Sequence, residues 1–226
     1  MTNKKSIDEV QKAHWQSKFG QHSKEIQSIG SESPLHKNLR YQKIAEVLKD
    51  QNGVSLLDVG AGFGDYFGYL QQHYLNHDIN YTGAEITPEF CEIAREKYPD
   101  INMIHENILE RTDLQFDFVQ MSGLFHQNGE VPPEDWKNFM LQMITHSFSI
   151  CKKGISLNVL SNTVDFKREG NFYVDVDELY SFLCSKVSRH IIIDQSYPLF
   201  EATVHVFRKE FVREQYTDQA FEKYLK

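Results

Sequence analysis

The sequence predicts an α/β fold: a doubly wound, seven-stranded, mostly parallel sheet with an antiparallel last strand, helices on both faces and an N-terminal helical cap. Three observations predict it. Short apolar runs alternate with helix-patterned segments of about a dozen residues. The first run, VSLLDVG, ends in a glycine-rich turn that opens a helix. The last two runs, HIIIDQ and EATVHVFRK, are too close for a helical crossover, so they pair antiparallel.

The elements follow in order. Residues 1–30 are polar, with Ile7, Val10, Trp15 and Phe19 at helical intervals, and end at the breaking stretch GSESP. A second helix over 35–50 gathers Leu39, Ile44, Val47 and Leu48 on one face before the first strand. GDYFGYLQQHYL reads as helix and INYTGAEI as strand. TPEFCEIAREKY reads as a helix with Thr87 as N-cap and Pro88 at its first position, and INMIHENI as strand. FDFVQMSGLF is a fourth strand and PEDWKNFMLQMITHSFSIC a long helix. GISLNVLS is a fifth strand and DVDELYSFLCSKVS a helix before the closing pair. The expected division is a cap or lid segment over 1–34 and one sheet domain over 35–226.

Composition narrows the partners. The 226 residues suit a single core, and a net charge of −8 without a basic cluster disfavours a phosphate backbone as partner. Cys91, Cys151 and Cys184 lie far apart, without metal-ligand spacing, which suggests free thiols in a reducing compartment. No apolar stretch reaches the roughly 20 residues needed to cross a bilayer. The expectation is a cytoplasmic protein with no nucleic acid and no membrane partner.

The turn after the first strand is where a ligand is expected, because open α/β sheets bind at the carboxyl ends of their strands. Gly60, Gly62 and Gly64 alternate there, where a missing side chain permits unusual backbone angles or close approach of a ligand. A dinucleotide fingerprint, G-x-G-x-x-G, would need glycine at position 65, and that residue is Asp65. A carboxylate at the helix start is unfavourable for a pyrophosphate, so a zwitterionic, amino-acid-bearing nucleoside fits better than NAD. The second strand ends in Glu85, placed to accept both hydroxyls of a ribose, with Ile86 beside it to cover a base.

This combination resembles the class I S-adenosylmethionine-dependent methyltransferases. LLDVGAGFGD is similar to their first motif, YTGAEITPEFCEIAREKYP to the acidic second-strand motif, NMIHENIL to the third and FDFVQMSGLF to the fourth. The closing hairpin resembles their inserted antiparallel strand. The resemblance covers roughly residues 40–208 and implies a Rossmann-like domain with S-adenosyl-L-methionine as cofactor. It implies that Asp58, Gly60, Ala61 and Gly62 shape the methionine-binding turn and that Glu85 and Ile86 hold the nucleoside. Asn107 stands where the family more often has Asp toward the adenine amino group, Ile108 lies beside the ring, and Met121 and Ser122 approach the ligand's amino group. More narrowly, SGLFHQNG, SLNVLS and YPLFEATVHVFRK resemble an uncharacterised bacterial small-molecule branch. Some of its members belong with cell-surface carbohydrate biosynthesis.

The acceptor side is less specific. Amino-methyltransferases acting on DNA or RNA place a polar residue, two prolines and an aromatic after the fourth strand; this chain has SGLF there, and VPPEDW reads as a helix start. For a hydroxyl acceptor His126 is the best-placed base, its alternative being a structural loop histidine. An acidic acceptor would need no base, only positioning. Trp15, Phe19 and Tyr41 could form a lid with Arg40 as an anion clamp, or pack the N-terminal helices on the sheet. Tyr197 and Glu201 are further acceptor-pocket candidates. His73, His77 and Asp78 straddle a helix end and do not read as a metal site, and Asp165 has no metal-ligand companions. The leading expectation is O-methylation of a small metabolite or surface-carbohydrate precursor. A non-catalytic S-adenosylmethionine-binding or regulatory subunit and an NAD-linked oxidoreductase stand as alternatives, and the aromatic N-terminal helix leaves room for a homodimer.

Overall fold

A computed structural model describes residues 6–22 and 33–225. Most of the expected GSESP break lies outside the described residues. Helices α1 (Ile7–His22), α2 (Pro34–Ile44), α3 (Asp65–His73), α4 (Pro88–Lys97), α5 (Pro133–Ser149), α6 (Val176–Lys186) and α7 (Lys209–Gln215) surround one sheet. Its strands are β1 (Val54–Val59), β2 (Ile79–Glu85), β3 (Met103–His105), β4 (Phe116–Met121), β5 (Cys151–Ser161), β6 (Tyr173–Val174), β7 (Ile191–Asp194) and β8 (Glu201–Phe207).

The strand order is β3-β2-β1-β4-β5-β8-β7. Neighbours from β3 to β5 are parallel, and β8 runs antiparallel to both β5 and β7. This is the predicted seven-stranded path. The two-residue β6, where the sequence predicts a polar loop, adds an eighth strand by pairing with the end of β5. Because β1 pairs with both β2 and β4, the chain order reverses at β1 and opens a crevice at the carboxyl ends of these strands.

Apolar residues on both sides of each central strand demand a helical layer on each face. Leu56 joins a core layer with Ile44 of α2, Leu70 of α3, Ala94 of α4 and Phe211 of α7. Its neighbour Leu57 joins the opposite layer with Trp136 and Met140 of α5 and Leu183 of α6. Trp136 is fully enclosed, stacks on Phe139 with centroids 5.0 Å apart, and donates from its indole to the Phe125 carbonyl at 3.2 Å. Removing a side chain of this size from such a site costs about 3–5 kcal/mol.

Helix ends follow local chemistry. Pro133 opens α5 with Glu134 and Asp135 in its first turn, as VPPEDW predicts. Asp175 caps α6 by accepting from the Asp177 and Glu178 amides, each at 3.0 Å. Thr87 occupies the N-cap position of α4, but its hydroxyl is buried and does not cap. Three elements differ from expectation: β3 is only three residues long, the second helix ends in a 3-10 turn at Ala45–Leu48, and α7 was not anticipated. Phe211 of α7 fills the core against Phe118 and Phe207, at centroid separations of 5.8 and 5.9 Å.

Candidate functional site

The crevice at the reversal point is built from the β1–α3 turn. The amides of Gly60 and Ala61 both donate to the Ala84 carbonyl, at 2.8 and 3.1 Å, which folds the turn back onto β2. Gly60 has φ +74°, and a Cβ there would meet Leu124 Cδ1 at 2.8 Å. Glycine therefore lets the turn pass under the β4–α5 loop and leaves its backbone open to a ligand.

Glu85, the last residue of β2, closes the turn from the other side. Its Oε2 accepts from the Gly62 amide at 3.0 Å and its Oε1 from the Thr87 amide at 2.9 Å. Burial pushes its pKa up, while these amides pull it down. A carboxylate has about four acceptor sites, and Glu85 lines the cavity, where its oxygens can meet ligand hydroxyls. The cavity is lined by Gly60, Gly62, Glu85, Ile86, Asn107, Ile108 and Ser122, which brings together seven of the sequence-derived cofactor candidates. A buried carboxylate with spare acceptor capacity, an apolar slot at Ile86 and Ile108, and an open glycine turn fit an adenosyl ligand carrying an amino acid.

Three other cofactor candidates sit behind this wall. Asp58 is buried and accepts from the Tyr81 hydroxyl at 2.7 Å, and burial, opposed by that bond, raises its pKa to about 7. Ala61 packs into the core beside α3, and the Met121 side chain lies in the core of the opposite layer. Asn107 lines the cavity with its amide already committed. Its oxygen accepts from the Leu109 amide at 3.0 Å, and its nitrogen donates to Asp8 of α1 at 2.6 Å.

Asp65 requires a correction. The sequence predicts a carboxylate facing the ligand here, but Asp65 does not line the cavity. It pairs with Lys37 of α2 at 2.5 Å and with Lys97 of α4. Burial raises its pKa, and the two ammonium groups outweigh that and hold it below the ordinary range. A carboxylate paired with two ammonium groups from α2 and α4, away from the cavity, has no bearing on a pyrophosphate.

The lid candidates separate. Trp15 lines the first cavity, together with Asp8 and Gln11, which the sequence does not single out. Phe19 packs with Phe63 and Phe90, with ring centroids 6.4 and 5.8 Å away. Tyr41 is no lid residue: it is buried beneath α2, against Tyr66 at 5.0 Å and Tyr69 at 5.7 Å.

A second cavity takes part of its wall from the same β4–α5 loop, which contributes Ser122, Gly123 and Leu124 to the first. Its wall includes His126, Gln127, Arg40, Glu201, Phe166 and Phe200. The rings of Phe166 and Phe200 meet edge to face, 5.5 Å apart. His126 is almost fully enclosed, its Nε2 is buried without a hydrogen-bond partner, and burial lowers its pKa to about 4. Nearby Glu201 opposes that shift and Arg40 adds to it. The ring is close to the cofactor side, because a Cβ on Gly123, which lines the first cavity, would lie 3.9 Å from His126 Nδ1.

Arg40 is not an unengaged anion clamp. Its Nε donates to both Glu201 oxygens, at 2.7 and 2.9 Å, and its Nη2 lies 2.6 Å from Oε1. Tyr197 is buried, with its hydroxyl 2.8 Å from Thr203 Oγ1. Thr203 accepts from Asn158 at 2.8 Å, and Ser122 of the cofactor cavity reaches Asn158 at 3.3 Å. Tyr197 thus belongs to a polar relay under α2 and does not line either cavity. His73 packs tilted against Tyr69, and His77 bonds the Lys49 carbonyl at 2.9 Å; among the described residues no cluster of three potential metal ligands occurs.

Residues 56–147 match a family model described as a methyltransferase domain. A search of curated proteins finds no match. Magnesium protoporphyrin IX methyltransferase from Synechocystis PCC 6803, solved with bound SAM, is similar in structure. The TM-score is 0.62 at 14% identity, over 92% of this chain and 100% of that one. The N-methyltransferase NodS from Bradyrhizobium japonicum WM9, in complex with S-adenosyl-L-homocysteine, also gives 0.62 at 14% identity, covering 86% and 97%. A SAM-dependent methyltransferase from Aquifex aeolicus gives 0.55 at 16% identity, covering 77% and 93%. At these identities the structural likeness is one of fold.

Proposed function

We propose that this chain, residues 56–147 of which match a methyltransferase domain, is a class I S-adenosylmethionine-dependent methyltransferase that O-methylates a small hydroxyl-bearing metabolite, a surface-carbohydrate precursor being one such acceptor, in the cavity walled by His126. The observation that carries the reading is the buried, unpartnered Nε2 of His126, close to the cofactor cavity. A buried ring nitrogen without a partner loses free energy until a ligand supplies one. A hydroxyl donor is the simplest complement to a neutral imidazole.

S-adenosylmethionine, when bound, supplies an electrophilic methyl on a sulfonium. The glycine turn and Glu85 would hold its amino-acid and ribose parts, and Ile86 and Ile108 its base. His126 would accept the acceptor's hydroxyl proton and so aim an oxygen lone pair. An alcohol oxygen becomes strongly acidic as it gains a methyl group, so a base with a pKa near 4 suffices late in the transfer. Glu201, held in place by Arg40, favours the imidazolium formed, while the Arg40 charge opposes it. The free thiols of Cys91, Cys151 and Cys184 agree with a cytoplasmic setting, and no described helix is long and apolar enough to cross a membrane.

The test joins calorimetry with S-adenosylhomocysteine to a screen of metabolite fractions for transfer of a labelled methyl group. The wild type binds and labels a hydroxyl. His126→Gln keeps its affinity for S-adenosylhomocysteine but loses about 10²–10⁴-fold in turnover. Full turnover in His126→Gln, or a labelled amine or carbon as product, overturns the O-methylation reading. Binding without any labelled product favours the regulatory alternative.

A further inference from the structure

Helix α1 forms one wall of the cofactor cavity. Asp8, Gln11 and Trp15 line it, at spacings that put them on one helix face. Polar tethers hold the helix in place: the buried Gln11 donates to the Asn128 carbonyl at 3.0 Å, Gln16 to Glu89 at 3.0 Å, and Lys18 to Gln127. Asp8 meets the cavity beside Asn107 and Ile108, at the end away from the glycine turn. Its Oδ2 accepts from the Asn107 amide at 2.6 Å.

The orientation of that amide matters. With its oxygen on the Leu109 amide and its nitrogen on Asp8, Asn107 directs a donor, not an acceptor, toward α1. An adenine entering between Ile86 and Ile108 presents one exocyclic amino group, which donates only. The acceptor that chemistry calls for is then the Asp8 carboxylate, which retains acceptor sites beyond the one Asn107 uses.

We propose that Asp8, positioned by Asn107, accepts from the 6-amino group of the cofactor's adenine, so that α1 supplies the base specificity of the site and docks more firmly when the cofactor is bound. This deepens the methyltransferase reading and rests on it. The linkage runs both ways: whatever holds α1 against the β3 end of the sheet strengthens cofactor binding, and bound cofactor holds α1 there.

The experiment compares S-adenosylhomocysteine with S-inosylhomocysteine, in which an oxo group replaces the 6-amino group, by calorimetry on the full chain. The wild type favours the adenosyl ligand by about 100-fold, because the inosyl oxygen would face a carboxylate. Asp8→Ala weakens S-adenosylhomocysteine by about 10–100-fold and cuts the preference to a few-fold. Asp8→Asn, which can donate to the inosyl oxygen, moves the preference toward the inosyl ligand. Because Asp8 lies on a peripheral helix, unchanged thermal melting of both variants excludes a folding defect. If Asp8→Ala keeps the wild-type preference, or the wild type has none, the assignment is wrong while the cofactor reading stands. If the wild type binds neither ligand, the cofactor reading itself falls.

Discussion

The Glu85 carboxylate accepts from the Gly62 amide at 3.0 Å, so the residue proposed to hold a ribose also fixes the turn proposed to hold the amino-acid end. In the proposed site, recognition of the two halves of the ligand is coupled through one side chain. Glu85→Ala removes two charge-assisted acceptor positions and leaves the Gly62 and Thr87 amides without partners. The expected result is a loss of about 100-fold or more in S-adenosylhomocysteine affinity by calorimetry, with a lower melting temperature. Wild-type affinity in this variant would contradict the ribose assignment.

Gly64 tests the other end of the turn. It has φ +72°, and an added Cβ would lie 2.5 Å from Ile101 Cδ1 and 3.4 Å from Ala94 Cβ, between α3 and α4. The backbone alone costs an L-residue about 1–2 kcal/mol, and the displaced isoleucine adds to that. Gly64→Ala should lower the melting temperature by about 4–8 °C. A melt within 1 °C of wild type, to order of magnitude, would mean that the turn relaxes freely.

The Arg40–Glu201 pair separates stability from substrate handling. The Glu201 side chain is only 3% exposed, so Arg40→Met strands a buried carboxylate and costs about 3–5 kcal/mol in urea unfolding. Replacing both partners, Arg40→Met with Glu201→Leu, should restore most of that stability while acceptor turnover stays impaired. S-adenosylhomocysteine affinity should be unchanged, since neither residue lines the cofactor cavity. Recovery of turnover in the double variant would reduce the pair to a structural role.

Much of this was legible in the sequence because local pattern and tertiary demand agree. VSLLDV places Val54, Leu56, Leu57 and Val59 in the two core layers, and the glycines follow where the strand order reverses. The failures are long-range. Asp65 looked like a ligand-facing acid because nothing local announces that Lys37 and Lys97, from two other helices, converge on it. Tyr41 could serve as a lid or as packing by its sequence alone, and only the fold shows it turned under α2 onto Tyr66. Asp8 and Asn107, 99 positions apart, carry no joint signal in one chain. β6 has two residues, too few for any periodicity, and α7 is a single short amphipathic stretch whose only strong cue is Phe211.

Acid stability reports on His126 and His205. Burial lowers both from the ordinary 6.5 to about 4. Between these values the unfolded chain takes up a proton that the fold refuses, so their contribution is complete above pH 6.5 and is lost as pH falls toward 4. Asp58 acts in the opposite sense. Burial raises it from 3.8 to about 7, so the stability it contributes is complete below pH 3.8 and is lost as pH rises through 7. In the shared window each histidine adds about 1.4 kcal/mol per pH unit of slope and Asp58 subtracts a similar amount. Urea unfolding at pH 4.5, 5.5 and 6.5, values chosen to span roughly that window, should show stability rising with pH. His126→Gln should flatten the rise and Asp58→Asn should steepen it. Slope is the diagnostic quantity, because a uniform loss from imperfect packing shifts all three points equally. An unchanged slope in His126→Gln would mean that this histidine is already protonated in the fold, and it would remove the neutral imidazole on which the proposed transfer depends.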